Sequence, residues 1–135
     1  MQLIRIIHQK HFDRNRGRFQ SLAFRPSSNG GISVIDGQCA LANTGSLCQH
    51  LRHYYAHVSG CPPLFWLFDA VILPSAHLIE VSPSDSQDAC HRDIKNLTPR
   101  EAERTFKSHA VFPSSFHICP PRADHRPLEP RDLDL

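Results

Sequence analysis

A chain of 135 residues is long enough for one domain of ordinary size, roughly 100–150 residues, and too short for a second independent core. Fifteen Lys and Arg against 13 Asp and Glu leave a net charge of +2, which excludes a histone-like polycation and an acidic solvating tail. Five cysteines, odd in number and without any Cys-x-x-Cys, argue against a disulfide framework or a zinc ribbon and predict reduced thiols in a cytoplasmic protein.

The opening Met-Gln-Leu-Ile-Arg-Ile-Ile-His carries a basic residue after four positions and shows no apolar core of a secretory signal. The longest apolar run, Leu64 to Leu73, contains Asp69 and is about half the ~20 residues needed to cross a bilayer. These features predict a soluble chain that does not enter a membrane.

Charge is unevenly distributed. Residues 1–26 contain Arg5, Lys10, Arg14, Arg16, Arg18 and Arg25 against Asp13 alone, a local net of +5. Residues 27–99 contain Arg52, Arg92 and Lys95 against Asp36, Asp69, Glu80, Asp85, Asp88 and Asp93, a local net of −3. Clustered Arg is the electrostatic footprint of phosphate contact, so Arg14, Arg16 and Arg18 are the candidate nucleic-acid-binding residues.

In chain order, Leu3–Ile7 and Phe19–Phe24 read as strands joined by the turn-like Asp13-Arg14-Asn15-Arg16-Gly17, and Ile32–Gly37 reads as a third strand after the turn at 26–31. Asn43 or Thr44 is placed to cap a helix that Gly60 would end, with Leu47, Leu51, Tyr54, Tyr55 and Val58 on one face. The aromatic and β-branched content of Leu64–Leu73 suits a buried strand, and His77–Val81 suits another. Asp69 lies either at a bend or as a buried carboxylate. Ser82 or Ser84 can cap a helix through Asp85–Leu97. Thr98-Pro99-Arg100-Glu101 forms a capping box with Pro at the first helical position and predicts a helix of about ten residues. Phe116–Ile118 looks strand-like. The pattern is that of a small α+β domain over residues 1–119, a mixed or antiparallel sheet with two to three helices. Residues 120–135, rich in proline, are expected to be a disordered tail.

Three clusters have the residue types for chemistry. His8 and His11, with Arg25 and Ser33, are right for metal-independent phosphodiester cleavage, in which one imidazole takes a proton, a second gives one, and Arg offsets developing charge. His50, His53 and His57 fall at i, i+3 and i+7 on the expected helix and could hold a divalent metal, although no carboxylate accompanies them there. Asp85, Asp88 and His91 could together bind a cation. The kinase-like letters His91-Arg92-Asp93 lack the metal-binding Asn five residues after the Asp, where Thr98 stands, and any Gly-rich loop.

The stretches Arg5-Ile-Ile-His8-Gln-Lys-His11-Phe12-Asp13, Ala23-Phe24-Arg25-Pro26 and Gly31-Ile-Ser33-Val34 resemble the opening of small bacterial proteins that share a His-x-x-His-Phe, Ala-Phe-basic-Pro and Ser-Val pattern. The resemblance implies a bacterial domain, of a kind sometimes found among defence or toxin-type genes, and attaches no reaction to it. The expectation from all of this is a domain that acts mainly by binding protein or nucleic acid through the basic 14–18 turn. The alternatives are a His-dependent ribonuclease and a His-stripe metal-binding domain.

Overall fold

Leu64–Phe68 is apolar at every position, as a strand covered on both faces must be, and it lies in the interior of the sheet. The computed structural model describes residues 1–56, 62–82 and 87–133. Among these, strands β1 (Gln2–Ile6), β4 (Ile32–Asp36), β5 (Leu64–Asp69), β6 (Leu78–Val81), β7 (His91–Lys95), β8 (Phe116–Ile118) and β9 (Arg126–Pro127) form one sheet in the order β6-β7-β4-β1-β5-β8-β9. Its neighbours pair antiparallel. β2 (Phe12–Asp13) and β3 (Arg18–Phe19) make a separate hairpin. With helices α1 (Gly37–Thr44), α2 (Leu47–Tyr55) and α3 (Pro99–His109) this is an α+β fold, as expected.

Alternation along the strands divides the core into two layers. Leu3, Val34, Trp66, Phe68 and Phe116 point to the face covered by α3 and the hairpin, where Phe24 meets Trp66, Phe68 and Phe106 edge-on or stacked. Ile4, Ile35 and Phe65 point to the other face, against Ala40 of α1 and Leu47, Cys48 and Leu51 of α2. β1 and β4 pair only at Leu3–Asp36 and Ile4–Ile35. Beyond that point the Arg5 guanidinium ties β1 to β4 and to the segment at Ala23, donating from Nε to Ala23 O at 3.1 Å and from Nη1 to Ser33 O at 2.8 Å.

Local chemistry explains where elements differ from the sequence reading. Only Arg18–Phe19 is strand, and Ser21–Phe24 closes into a 3-10 turn that buries Ala23 and Phe24. The helix expected from Asn43 or Thr44 is two helices: Gly45, at φ 79°, ends α1 in the left-handed region, and the Ser46 hydroxyl starts α2 by accepting from Gln49 N. The expected stop at Gly60 lies outside the described residues. Asp69 sits at the bend, exposed, and caps a 3-10 turn through Val71 N at 2.9 Å. Of the helix expected over Asp85–Leu97, the start lies outside the described residues and His91–Lys95 is corrected to strand β7, because pairing with β4 and β6 on both sides outweighs a weak helical pattern. The capping box of α3 is present, with Thr98 and Glu101 each accepting from the other's backbone N–H.

Two further expectations are overturned. Cys39–Cys90 and Cys48–Cys119 are disulfides, so four of the five cysteines are not reduced thiols; Cys61 lies outside the described residues. Spacing hid the pairs because each ties a helix to the end of a distant strand, over 51 and 71 residues. The segment from residue 120, expected as a disordered tail, adds β9 to the sheet edge and buries Leu128 and Leu133. Arg52 of α2 holds it by donating to the carbonyls of Pro120 and Ala123, and Arg126 forms a two-point ion pair with Asp132 at 2.7 and 2.9 Å. Among the described residues no helix is long and apolar enough to cross a membrane.

Candidate functional site

The basic turn stands on a hairpin whose geometry Asp13 sets. Its Oδ1 accepts from Asn15 N at 3.0 Å and Arg16 N at 3.2 Å, and Gly17 takes a φ of 65° that side-chain-bearing residues avoid. Arg14, Arg16 and Arg18 are thereby exposed on a fixed turn. Arg16 and Arg18 face Lys107 of α3 across a cavity of about 170 Å³, floored by Phe19 and Phe106 and bordered by Gln20 and Ser21.

The cavity does not stop at Lys107. Arg100, Glu103, Arg104 and Lys107 recur at three- and four-residue spacing, so they share one face of α3, and they line a second depression that shares Glu103 and Lys107 with the first. Two carboxylates interrupt this basic surface: Asp13, 3.7 Å from Arg16 Nε, and Glu103, 2.8 Å from Lys107 Nζ. Lys107 holds the Glu103 carboxyl below its usual range, and Arg25 adds to that pull. The hairpin half is legible in local charge. The α3 half is present in the sequence only as the 100, 104, 107 spacing, which a charge count over residues 1–26 does not reach.

Of the four residues considered for phosphodiester cleavage, two are close neighbours. His8 and His11 lie with ring centroids 6.5 Å apart, and His8 Nδ1 accepts from Lys10 N at 3.1 Å as the cap of a 3-10 turn. Burial, followed by the charges of Lys10, His8 and Arg5, lowers the His11 pKa. Ser33 instead lines a depression between β1 and β4 with Arg5, Tyr55 and His91, and this depression includes neither of those histidines nor Arg25.

The histidine stripe is divided. His50 is fully buried, His53 is exposed, and His57 lies outside the described residues. His50 Nε2 lies 3.0 Å from Asp88 Oδ1, an atom that also accepts from Cys90 N at 2.8 Å, while the Tyr55 hydroxyl donates to Asp88 Oδ2. Burial pushes the Asp88 carboxyl up, but hydrogen bonds from Tyr55, Cys90 N–H and His50 outweigh it and the net shift is downward. Tyr55 is raised by burial and by Asp88. One ligand atom each from His50, Asp88 and Cys90 lie within 4.8 Å of one another, although Cys90 Sγ is bonded to Cys39. The sequence singles out His50 and Asp88 each with other partners, and their separation of 38 residues hides that the two belong together.

His91, the third member of the cation set considered with Asp85 and Asp88, makes its contact elsewhere: Nδ1 meets the Ser82 hydroxyl, which also donates to Asp93 at 3.2 Å. The hydroxyl sits between acid and imidazole, so this trio lacks the central imidazole of a nucleophile relay. Asp85 lies outside the described residues. Comparisons with protein-family models, curated proteins and solved structures find no match to this chain.

Proposed function

We propose that the protein is a binding module that takes the phosphate backbone of a nucleic acid, with RNA as the first candidate, in the groove between the β2–β3 hairpin and α3. The observation that carries this reading is the continuity of Arg16, Arg18 and Lys107 around one cavity with Arg100 and Arg104 on the next turns of the same helix face. Guanidinium groups on a rigid turn can fork onto phosphate oxygens, and a helix face at fixed spacing sets the path of the strand. Asp13 and Glu103 keep the groove from binding any anion indiscriminately. No base-reading group is required, so the binding is of the backbone-tracking kind.

The test is retention of the full chain on a single-stranded RNA as salt is varied. Replacing Arg14, Arg16 and Arg18 together with Gln should weaken binding at least tenfold at ~0.1 M salt and flatten the log–log salt dependence by roughly 2, at ~0.7 for each phosphate no longer neutralised. Unchanged binding would remove the proposal. The adjacency of His8 and His11 favours a second reading, metal-independent cleavage of that RNA. Cleavage in EDTA by wild type and not by a His8→Ala, His11→Ala variant supports it, and an uncut RNA excludes it. The two disulfides fit an oxidising environment as the place of action better than the expected cytoplasm.

A further inference from the structure

The cluster under α2 is composed like a metal site that a disulfide holds closed. An imidazole, a carboxylate and a sulfur converge within 4.8 Å, all three residues fully or nearly fully buried. Burying an imidazole and a carboxylate together is costly, and His50 Nδ1 has no hydrogen-bond partner among the described residues. An apolar side chain would fill that space at lower cost. We propose that reduction of Cys39–Cys90 opens a divalent transition-metal site of the zinc class, with His50, Asp88 and Cys90 as its protein ligands.

Geometry and charge both fit. Two ligands of one tetrahedral ion at about 2.0–2.1 Å stand roughly 3.3 Å apart, and His50 Nε2 and Asp88 Oδ1 are 3.0 Å apart. The Asp88 carboxylate is already oriented by the Tyr55 hydroxyl and the Cys90 amide, the kind of outer support that metal-binding carboxylates use. A carboxylate, a thiolate and a neutral imidazole bring two negative charges, which a divalent ion neutralises in a buried site. The Asn43 carboxamide, whose Nδ2 lies 3.3 Å from Cys90 Sγ, can turn to offer its oxygen as a fourth donor.

The exchange step balances with a dithiol as the reductant. Its thiolate attacks Cys39 Sγ, the residue of the pair that is not fully buried, the S–S bond breaks, and the electron pair leaves on Cys90 Sγ. The second thiol of the reductant then displaces Cys39, and the reductant ends as its own disulfide. Of its two protons, one stays on the Cys39 thiol and the other is released as the metal takes the Cys90 thiolate.

Cys39 and Cys90 are equivalent as disulfide partners and different as ligands, and the experiment uses that difference. In a Cys61→Ser background, Cys39→Ser and Cys90→Ser each lose the same disulfide, so stability is matched; only the first leaves the ligand thiol free. Titrated with Co(II) without reductant, Cys39→Ser should bind one equivalent with a thiolate-to-cobalt charge-transfer band, and Cys90→Ser should show no such band. Adding His50→Gln to Cys39→Ser should weaken uptake at least tenfold. Absence of the band from Cys39→Ser, or equal uptake by both cysteine variants, overturns the proposal. If neither variant holds its fold by circular dichroism, the outcome is read on wild type reduced with a phosphine. There the band must appear in wild type and not in His50→Gln, whose fold is checked beforehand with its disulfides intact, and a reduced wild type without the band overturns the proposal equally.

Discussion

The two faces of the sheet hold polar side chains in opposite ways. On the α3 face the groove is built from exposed cations, each carried by its own turn or helix spacing, with ion pairs such as Lys107–Glu103 open to water. On the α2 face His50 and Asp88 are removed from water and committed to each other, to Tyr55 and to a backbone amide. Exposed charges contribute little to stability and are free to meet a partner; buried ones are part of the fold and can change only if something else is exchanged for them. A cation removed from the groove should therefore be felt in binding, and an anion removed from the cluster should be felt in folding.

The largest effect belongs to Asp88. Asp88→Ala leaves the Cys90 amide, the Tyr55 hydroxyl and His50 without their acceptor in a buried site, and should cost about 3–5 kcal/mol in urea unfolding of the oxidised protein. RNA retention by the folded variant should not change. A loss below ~1 kcal/mol would mean that water reaches the cluster and that the contrast between the faces is false. The acid limb sharpens the point. A carboxyl whose folded pKa is depressed stabilises fully above its unfolded value, near 3.9, and that stabilisation disappears as pH falls through the lower folded value. The stability gap between wild type and Asp88→Asn should therefore hold from neutral pH to about pH 4 and close only below it.

How far each face is legible in the sequence follows from the same contrast. The Arg14–Arg18 turn and the Thr98–Glu101 capping box are written in consecutive residues, and local rules for turns and caps suffice for both. The strands at Ile32–Asp36 and Leu64–Asp69 declare themselves by β-branched and aromatic content. His50 is marked locally by its helical spacing to His53 and His57, and Asp88 by its neighbours Asp85 and His91, but neither mark points to the other, and nothing local pairs the cysteines. Helix α2 brings His50 to a loop 38 residues away, and the disulfides join α1 and α2 to residues beside β7 and β8. Leu128 and Leu133 are obscured by the prolines around them, since proline content reports on the backbone and not on whether two leucines find a hydrophobic edge.

A single-charge change tests the groove from its acidic side. Glu103→Gln removes the partner of Lys107 and one of the two carboxylates that interrupt the basic surface. It should strengthen RNA binding severalfold at low salt, with the gain fading as salt screens the groove. Stability should stay within ~0.5 kcal/mol, as for other exposed ion pairs. Weaker binding would mean that Glu103 orients Lys107 instead of competing for it, and the groove would then be an ordered ion-pair network with a narrower range of partners.

The smallest effect should come from the cap of α3. Thr98→Ala removes the hydroxyl that accepts from Glu101 N at 3.1 Å and should cost about 1 kcal/mol in urea unfolding. Arg104 and Lys107 stand farther along the helix, held by Ala102, Thr105 and Phe106 in the core, so the salt dependence of RNA binding should be unaltered. If that slope changes, the cap, and not core packing alone, fixes Arg100 on the phosphate path. The start of the helix would then be the part of the groove most sensitive to local fraying.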